Sequence, residues 1–129
     1  MKKEIVREKA VEGNVSCGPG TVIFINTDRI GQGEEELGKV LMKSFSFALT
    51  ESKAKPQALV LMNNGVKLVA EGSEVLENLG KLESTGVKIM ACGTCLDYYG
   101  LSDKVKVGSV SNMYDITETF LGADKVVTL

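Results

Sequence analysis

The residues of this chain best suited to covalent chemistry are the two cysteines of Cys92-Gly93-Thr94-Cys95. Thiolate is the nucleophilic form of cysteine, and a helix N-terminus favours it through free amides and the positive end of the helix dipole. The segment follows the apolar run Val87 to Met90 and precedes Leu96 to Tyr99, so it falls where a strand ends and a short helix starts. Cysteines also pack as small hydrophobes, and isolated pairs at this spacing arise by chance. Spacing and strand-end position together favour reactive thiols, which makes Cys92 and Cys95 the candidate catalytic pair.

Other uses of the pair fit the chain less well. A structural zinc site wants four Cys or His ligands, whereas the sequence holds only Cys17 besides the pair and no histidine at all. No metal is therefore expected, unless a site is shared between subunits or completed by a carboxylate. The missing histidine also removes Ser-His and Cys-His catalysis. Thioredoxin-like exchange would use the same spacing, but there is no Trp, and Pro19 and Pro56 both precede the cysteines, so no proline can start a later strand beside them. Gly31-Gln32-Gly33 lacks the third glycine of a dinucleotide fingerprint, and no Walker-type loop occurs, so no cofactor is expected.

Composition narrows the setting. The 129 residues carry 15 Lys+Arg against 17 Asp+Glu, a net charge of −2, with 43% apolar residues. That supports one globular domain with its own core. Aromatics are 5%, and basic residues form no dense run, which excludes nucleic acid as an expected partner. The longest apolar run, Ala58 to Met62, is far below the roughly 20 residues of a membrane span, and Met1-Lys2-Lys3-Glu4 leads into no signal-peptide core. The expectation is a cytoplasmic protein without a membrane partner. Three cysteines, an odd number, argue against a disulfide framework.

Elements that would position the thiols follow from periodicity. Met1 to Gly20 reads as a linker or docking arm ending in the turn cluster Cys17-Gly18-Pro19-Gly20, and the domain is expected over 21–129. Thr21 to Ile25 and Ala58 to Met62 are apolar on both faces, as buried parallel strands are. Between them Leu37, Val40, Leu41, Phe45, Ala48 and Leu49 recur at helical spacing behind Glu34, Glu35 and Glu36. Ser73 is placed to cap a helix with Val75, Leu76, Leu79 and Leu82 inside and Gly86 as its stop. Further on, Val105 to Val107 reads as a short strand, Asn112 with Asp115 as a cap before Met113, Ile116 and Phe120, and Lys125 to Leu129 as a final strand.

Alternating strands and helices predict a small doubly wound α/β domain, flavodoxin- or Rossmann-like, with about five mostly parallel strands and helices on both faces. In such sheets ligands gather beyond the carboxyl ends of the strands. Asp28 to Gly33, Asn63 to Gly65 and Cys92 to Cys95 fall at that edge. Asp28, Asn63, Asn64, Gly93 and Thr94 are thus the candidate cleft-lining residues. Asp28 and Arg29 either line the cleft or are simply solvated, and Asn-Asn-Gly is also ordinary turn vocabulary. Tyr98 and Tyr99 suit packing against a neighbour or another subunit.

Three segments taken in order carry a resemblance: Thr27-Asp28-Arg29-Ile30-Gly31-Gln32-Gly33-Glu34-Glu35-Glu36-Leu37-Gly38, Leu61-Met62-Asn63-Asn64-Gly65-Val66, and Ala91-Cys92-Gly93-Thr94-Cys95-Leu96-Asp97-Tyr98-Tyr99-Gly100. From about Gly20 to Leu129 the chain resembles the DsrE/DsrF-like family, and within it the C-terminal domain of the YedF type, described as sulfurtransferase-like selenium-metabolism proteins. The resemblance implies a parallel α/β sheet, assembly as a homo-oligomer (dimer, trimer or hexamer), and sulfur relay through a cysteine persulfide, with Cys92 matching the relay cysteine. Cys95 has no counterpart in many relatives. YedF-type proteins usually carry a TusA-like domain ahead of this one, so the resemblance makes Met1 to Gly20 its trailing linker. It also implies sulfur or selenium donor and acceptor proteins as partners, a TusA-like domain among them. The function expected is a sulfur or selenium relay carried on Cys92. A non-catalytic oligomeric binding module and a thiol-disulfide redox protein are its rivals.

Overall fold

The computed structural model describes residues 17–129, with side chains from Gly20 onward, so most of the arm expected over Met1 to Gly20, and the Cys17 thiol, lie outside what is described. Five strands, β1 (Cys17–Ile25), β2 (Lys55–Leu61), β3 (Lys88–Cys92), β4 (Ser109–Ser111) and β5 (Lys125–Thr128), form one sheet in the order β4-β3-β2-β1-β5. Every pairing is parallel. Helices α1 (Glu35–Glu51), α2 (Leu76–Ser84), α3 (Gly93–Tyr98) and α4 (Met113–Leu121) alternate with the strands, and a 3-10 helix occupies Asn63–Val69.

Strand order dictates the layers. The chain steps one way across the sheet from β1 to β4 and then returns to β5 beyond β1. Right-handed crossovers therefore set α1, α2 and α3 on one face and α4 on the other. α1 packs against α2. On the opposite side Phe120 of α4 meets Phe24 edge-on with ring centroids 5.3 Å apart, and the Thr119 hydroxyl lies 3.6 Å from the Met90 sulfur. The register joins Phe24 to Val60 and Val60 to Met90, which places all three on the α4 face. Leu59, Leu61, Leu82, Ile89, Met90, Leu96 and Ile116 form the fully buried centre.

Four local expectations need correction. β1 starts at Cys17, because 17–18 pair with Lys55 and Pro56 before an irregularity ahead of Val22, so the turn cluster is part of the strand. α1 does not bury the stripe read for it. Gly38, Met42 and Ser46 face inward, while Leu37, Val40 and Leu41 are 55%, 55% and 41% exposed, so the apolar recurrence mixed two faces of one helix. Val105 to Val107 is not a sheet strand. Val105 makes an antiparallel bridge to Ala70, Val107 feeds the core, and β4 follows at Ser109 once Gly108, with φ +77°, has turned the chain. A side chain on Gly108 would lie 2.9 Å from the Ile89 carbonyl oxygen. Finally, Ser73 builds a turn instead of a cap: its hydroxyl accepts from the Val75 amide at 3.2 Å, and Val75 itself is the N-cap of α2.

Candidate functional site

Cys92 is the last residue of β3 and the N-cap of α3, with φ −65° and ψ 122°. Its neighbour across the sheet is Ser111, the last residue of β4. The loop after β3 leads to α3 on one face and the loop after β4 to α4 on the other, so β3 and β4 flank the point where the winding reverses. Their carboxyl ends open the crevice in which α/β sheets place ligands. Gly93 lets α3 start tight against that edge, since a side chain there would come 3.2 Å from the Ser111 carbonyl oxygen and from Val110. Cys92 is buried, 3% exposed, among the core residues, whereas Cys95 is half-buried.

A chain of polar contacts ties the second thiol to the neighbouring strand ends. The Asn63 amide donates to the Cys95 sulfur at 3.1 Å. Asn63 adopts φ 53°, a left-handed conformation that asparagine tolerates better than most residues. Its side-chain oxygen accepts from the Asn64 amide at 2.9 Å and receives a long contact of 3.5 Å from the Tyr99 hydroxyl. Asn64 in turn accepts from the Asp28 amide at 2.9 Å, so the β1 and β2 ends are joined. Asp28 accepts from Arg29 Nε at 2.8 Å, and Arg29 reaches Glu35 at 3.2 Å. Gly65 makes this approach possible, because a side chain there would lie 2.3 Å from the Ile25 carbonyl oxygen.

Electrostatics act on the second thiol. The Cys95 thiol is pushed up, first by burial and then by its hydrogen bond to Cys92, with the Asn63 amide pulling the other way. Farther out, the Asp28 carboxylate raises the Arg29 guanidinium, and Lys39 followed by Arg29 lowers Glu35.

The residues predicted for the cleft are partly united. Asp28, Asn63, Asn64 and Cys95 share the network just described, and Cys92 touches it through Cys95. Gly93 has a packing role, and Thr94 is exposed with no side-chain hydrogen bond among the described residues. The sequence assigns Tyr99 only a packing role and does not single out Lys67. Tyr99 stands one helical turn after Cys95 on the same side of α3, a spacing that was readable, and Lys67 Nζ lies 4.7 Å from the centre of its ring. Both line a groove of about 510 Å³ that also takes in Asp28, Met42, Lys43 and Leu68. Among the described residues no three Cys, Asp or Glu side chains converge as metal ligands, and no helix is long and apolar enough to cross a membrane.

A five-stranded parallel sheet with a thiol pair at its reversal point defines the class: a small doubly wound α/β domain with cysteines at the ligand edge. The sequence pattern of the DsrE/DsrF-like family matches residues 22–129, and the chain belongs to that family. Its fold is shared by the ychN protein from E. coli, with a TM-score of 0.64 and 22% identity over 84% of this chain and 98% of that one. It is also shared by the conserved protein of unknown function BT1422 from Bacteroides thetaiotaomicron (TM-score 0.60, 16% identity, 85% and 95% covered). A third likeness is the protein of unknown function MTH1491 from Methanobacterium thermoautotrophicum (TM-score 0.58, 17% identity, 84% and 97% covered). No curated protein matches the sequence. Membership suggests sulfur relay at the level of the family.

Proposed function

We propose that this protein relays sulfane sulfur or selenium, carrying it on Cys92 as a persulfide or its selenium equivalent. The observation that carries this reading is the Cys92–Cys95 pair at the reversal point of the sheet, with the Asn63 amide directed at one of its sulfurs. In the sulfur case the outer sulfur of a donor persulfide ends bonded to the Cys92 sulfur. One S–S bond forms as another breaks, and the donor leaves as a thiol. No histidine is needed for that step. The partners are donor and acceptor proteins, a TusA-like domain among them. Tyr98 at the end of α3 and Met113 and Tyr114 at the start of α4 are exposed on the two helices that leave this edge, and they supply apolar contact area for such a partner.

Substitution Cys92→Ser should abolish the sulfur that survives a challenge with added thiol after loading from a persulfide donor, read as the mass of one added sulfur on the peptide holding both cysteines. An unchanged amount of that surviving sulfur sinks the assignment. Alkylation against pH reads the pair as well. Because Cys95 is raised, its reactive thiolate should emerge above the pH of an ordinary thiol, about 8.5. The matching contribution to stability is present below the unfolded thiol's pKa and fades as pH climbs through the folded one.

A second reading, a non-catalytic oligomeric binding module, is favoured by one observation: Cys92 is 3% exposed. It predicts slow alkylation of Cys92 and no sulfur loading at either cysteine. Homo-oligomer formation fits both readings. The exposed apolar stripe of α1, Leu37, Val40, Leu41 and Phe47, is the surface we assign to it.

A further inference from the structure

The two thiols differ in reach. Cys92 is enclosed with Ile89, Met90 and Leu96 in the core, whereas Cys95, three residues on, is half-buried and bonded to the exposed Asn63. A donor has to bring its outer sulfur into line with the attacking sulfur, so loading rate depends on access as well as on thiolate fraction. Access belongs to Cys95. The amide that stabilises charge on a thiol of this pair also points at Cys95, at 3.1 Å.

We infer that Cys95 is the entry residue and Cys92 the storage residue, so that sulfur from a persulfide donor reaches the buried Cys92 by way of Cys95. This rests on the persulfide reading above and assigns an order within it. In the first step the Cys95 sulfur attacks the outer sulfur of the donor R–S–SH. The bond from that sulfur to R–S breaks, and the departing thiolate takes up the proton that Cys95 releases. In the second step the Cys92 sulfur attacks the same outer sulfur. Cys95 then leaves and recovers its proton from Cys92. Each step makes one S–S bond and breaks one, so no oxidant or reductant is consumed. Burial then shields the stored sulfur on Cys92 from thiols in solution. Because burial pushes the Cys95 thiol up, entry speeds up as pH rises past that of an ordinary thiol.

The test uses the full chain with Cys17→Ser, which leaves only these two thiols, and glutathione persulfide as donor. Time courses of sulfur addition are read by mass spectrometry for the parent, Cys92→Ser and Cys95→Ser, with Cys95→Ala as a second removal of the entry thiol and circular dichroism to establish that each is folded. The parent should accumulate sulfur on Cys92. Cys92→Ser should take sulfur on Cys95 at the parent's initial rate and then lose it to added thiol. Both Cys95 variants should load Cys92 at least about tenfold more slowly. Loading of Cys92 at the parent's rate without Cys95 overturns the order and leaves the relay intact. Release of hydrogen sulfide with a Cys92–Cys95 disulfide overturns the storage role. If no form gains sulfur, the relay reading fails with it.

Discussion

β2 and β5 are both short apolar strands, yet they live in different surroundings. From Ala58 to Leu61 no residue of β2 is more than 1% exposed, while every residue of β5 is open, Val126 at 41% and Val127 at 38%. Their apolar content does not separate them: one valine, two leucines and an alanine on one side, two valines and a threonine on the other. Position in the sheet does. β2 lies between β1 and β3 and is covered on both faces, whereas β5 is an edge strand paired only with β1. The same contrast runs through β3 and β4. The site sits where a buried strand meets an edge strand, which keeps Cys92 rigid and its surroundings open.

That contrast can be broken at several points. Leu61→Ala should destabilise the fold by about 2–5 kcal/mol, because it empties a fully enclosed position. Val127→Ala should change stability by no more than about 0.5 kcal/mol, and urea unfolding of the two variants measures the difference. Equal losses would mean that the β5 face is covered in solution. Gly65→Ala should come next, at about 1–3 kcal/mol, since the new methyl meets backbone atoms of Ile25 and Thr27 that have little room to retreat. It should also loosen the Asn63 amide from Cys95 and change the pH at which Cys95 is alkylated. The smallest effect on stability is expected for Leu37→Ser with Leu41→Ser, within about 0.5 kcal/mol for the folded protomer. Sedimentation should nevertheless report a lower assembly mass than the parent's, and an unchanged mass would remove the α1 stripe from the assembly interface.

Much of the architecture could be read from the chain because helix and strand periods are local. The strands near Val22, Leu59 and Ile89, the Asn112 cap, whose side chain accepts from the Asp115 amide at 2.9 Å, and the stop at Gly86, with φ +108°, all stand where residue types put them. The α1 face and the fourth strand were not legible. Leu37, Val40 and Leu41 are as apolar as Phe45 and Leu49, and only the sheet and α2 beneath decide which group turns inward. Ser109 to Ser111 carries little strand propensity, and it is a strand because the β3 edge offers backbone partners.

The site divides in the same way. Residue order alone determined that two thiols would stand at a strand end, that no histidine could assist them, and that segments around Asp28 and Asn63 would come to the same edge, since parallel strands bring their carboxyl ends together. Which thiol is enclosed and which is reachable was decided by tertiary structure. Cys92 and Cys95 are the same chemical group three residues apart. Their difference comes from the strand and helix packed over one and from the Asn63 amide, supplied by another strand's end, that holds the other. Burial and hydrogen bonding are properties of what surrounds a residue, and those surroundings exist only once distant parts of the chain have met.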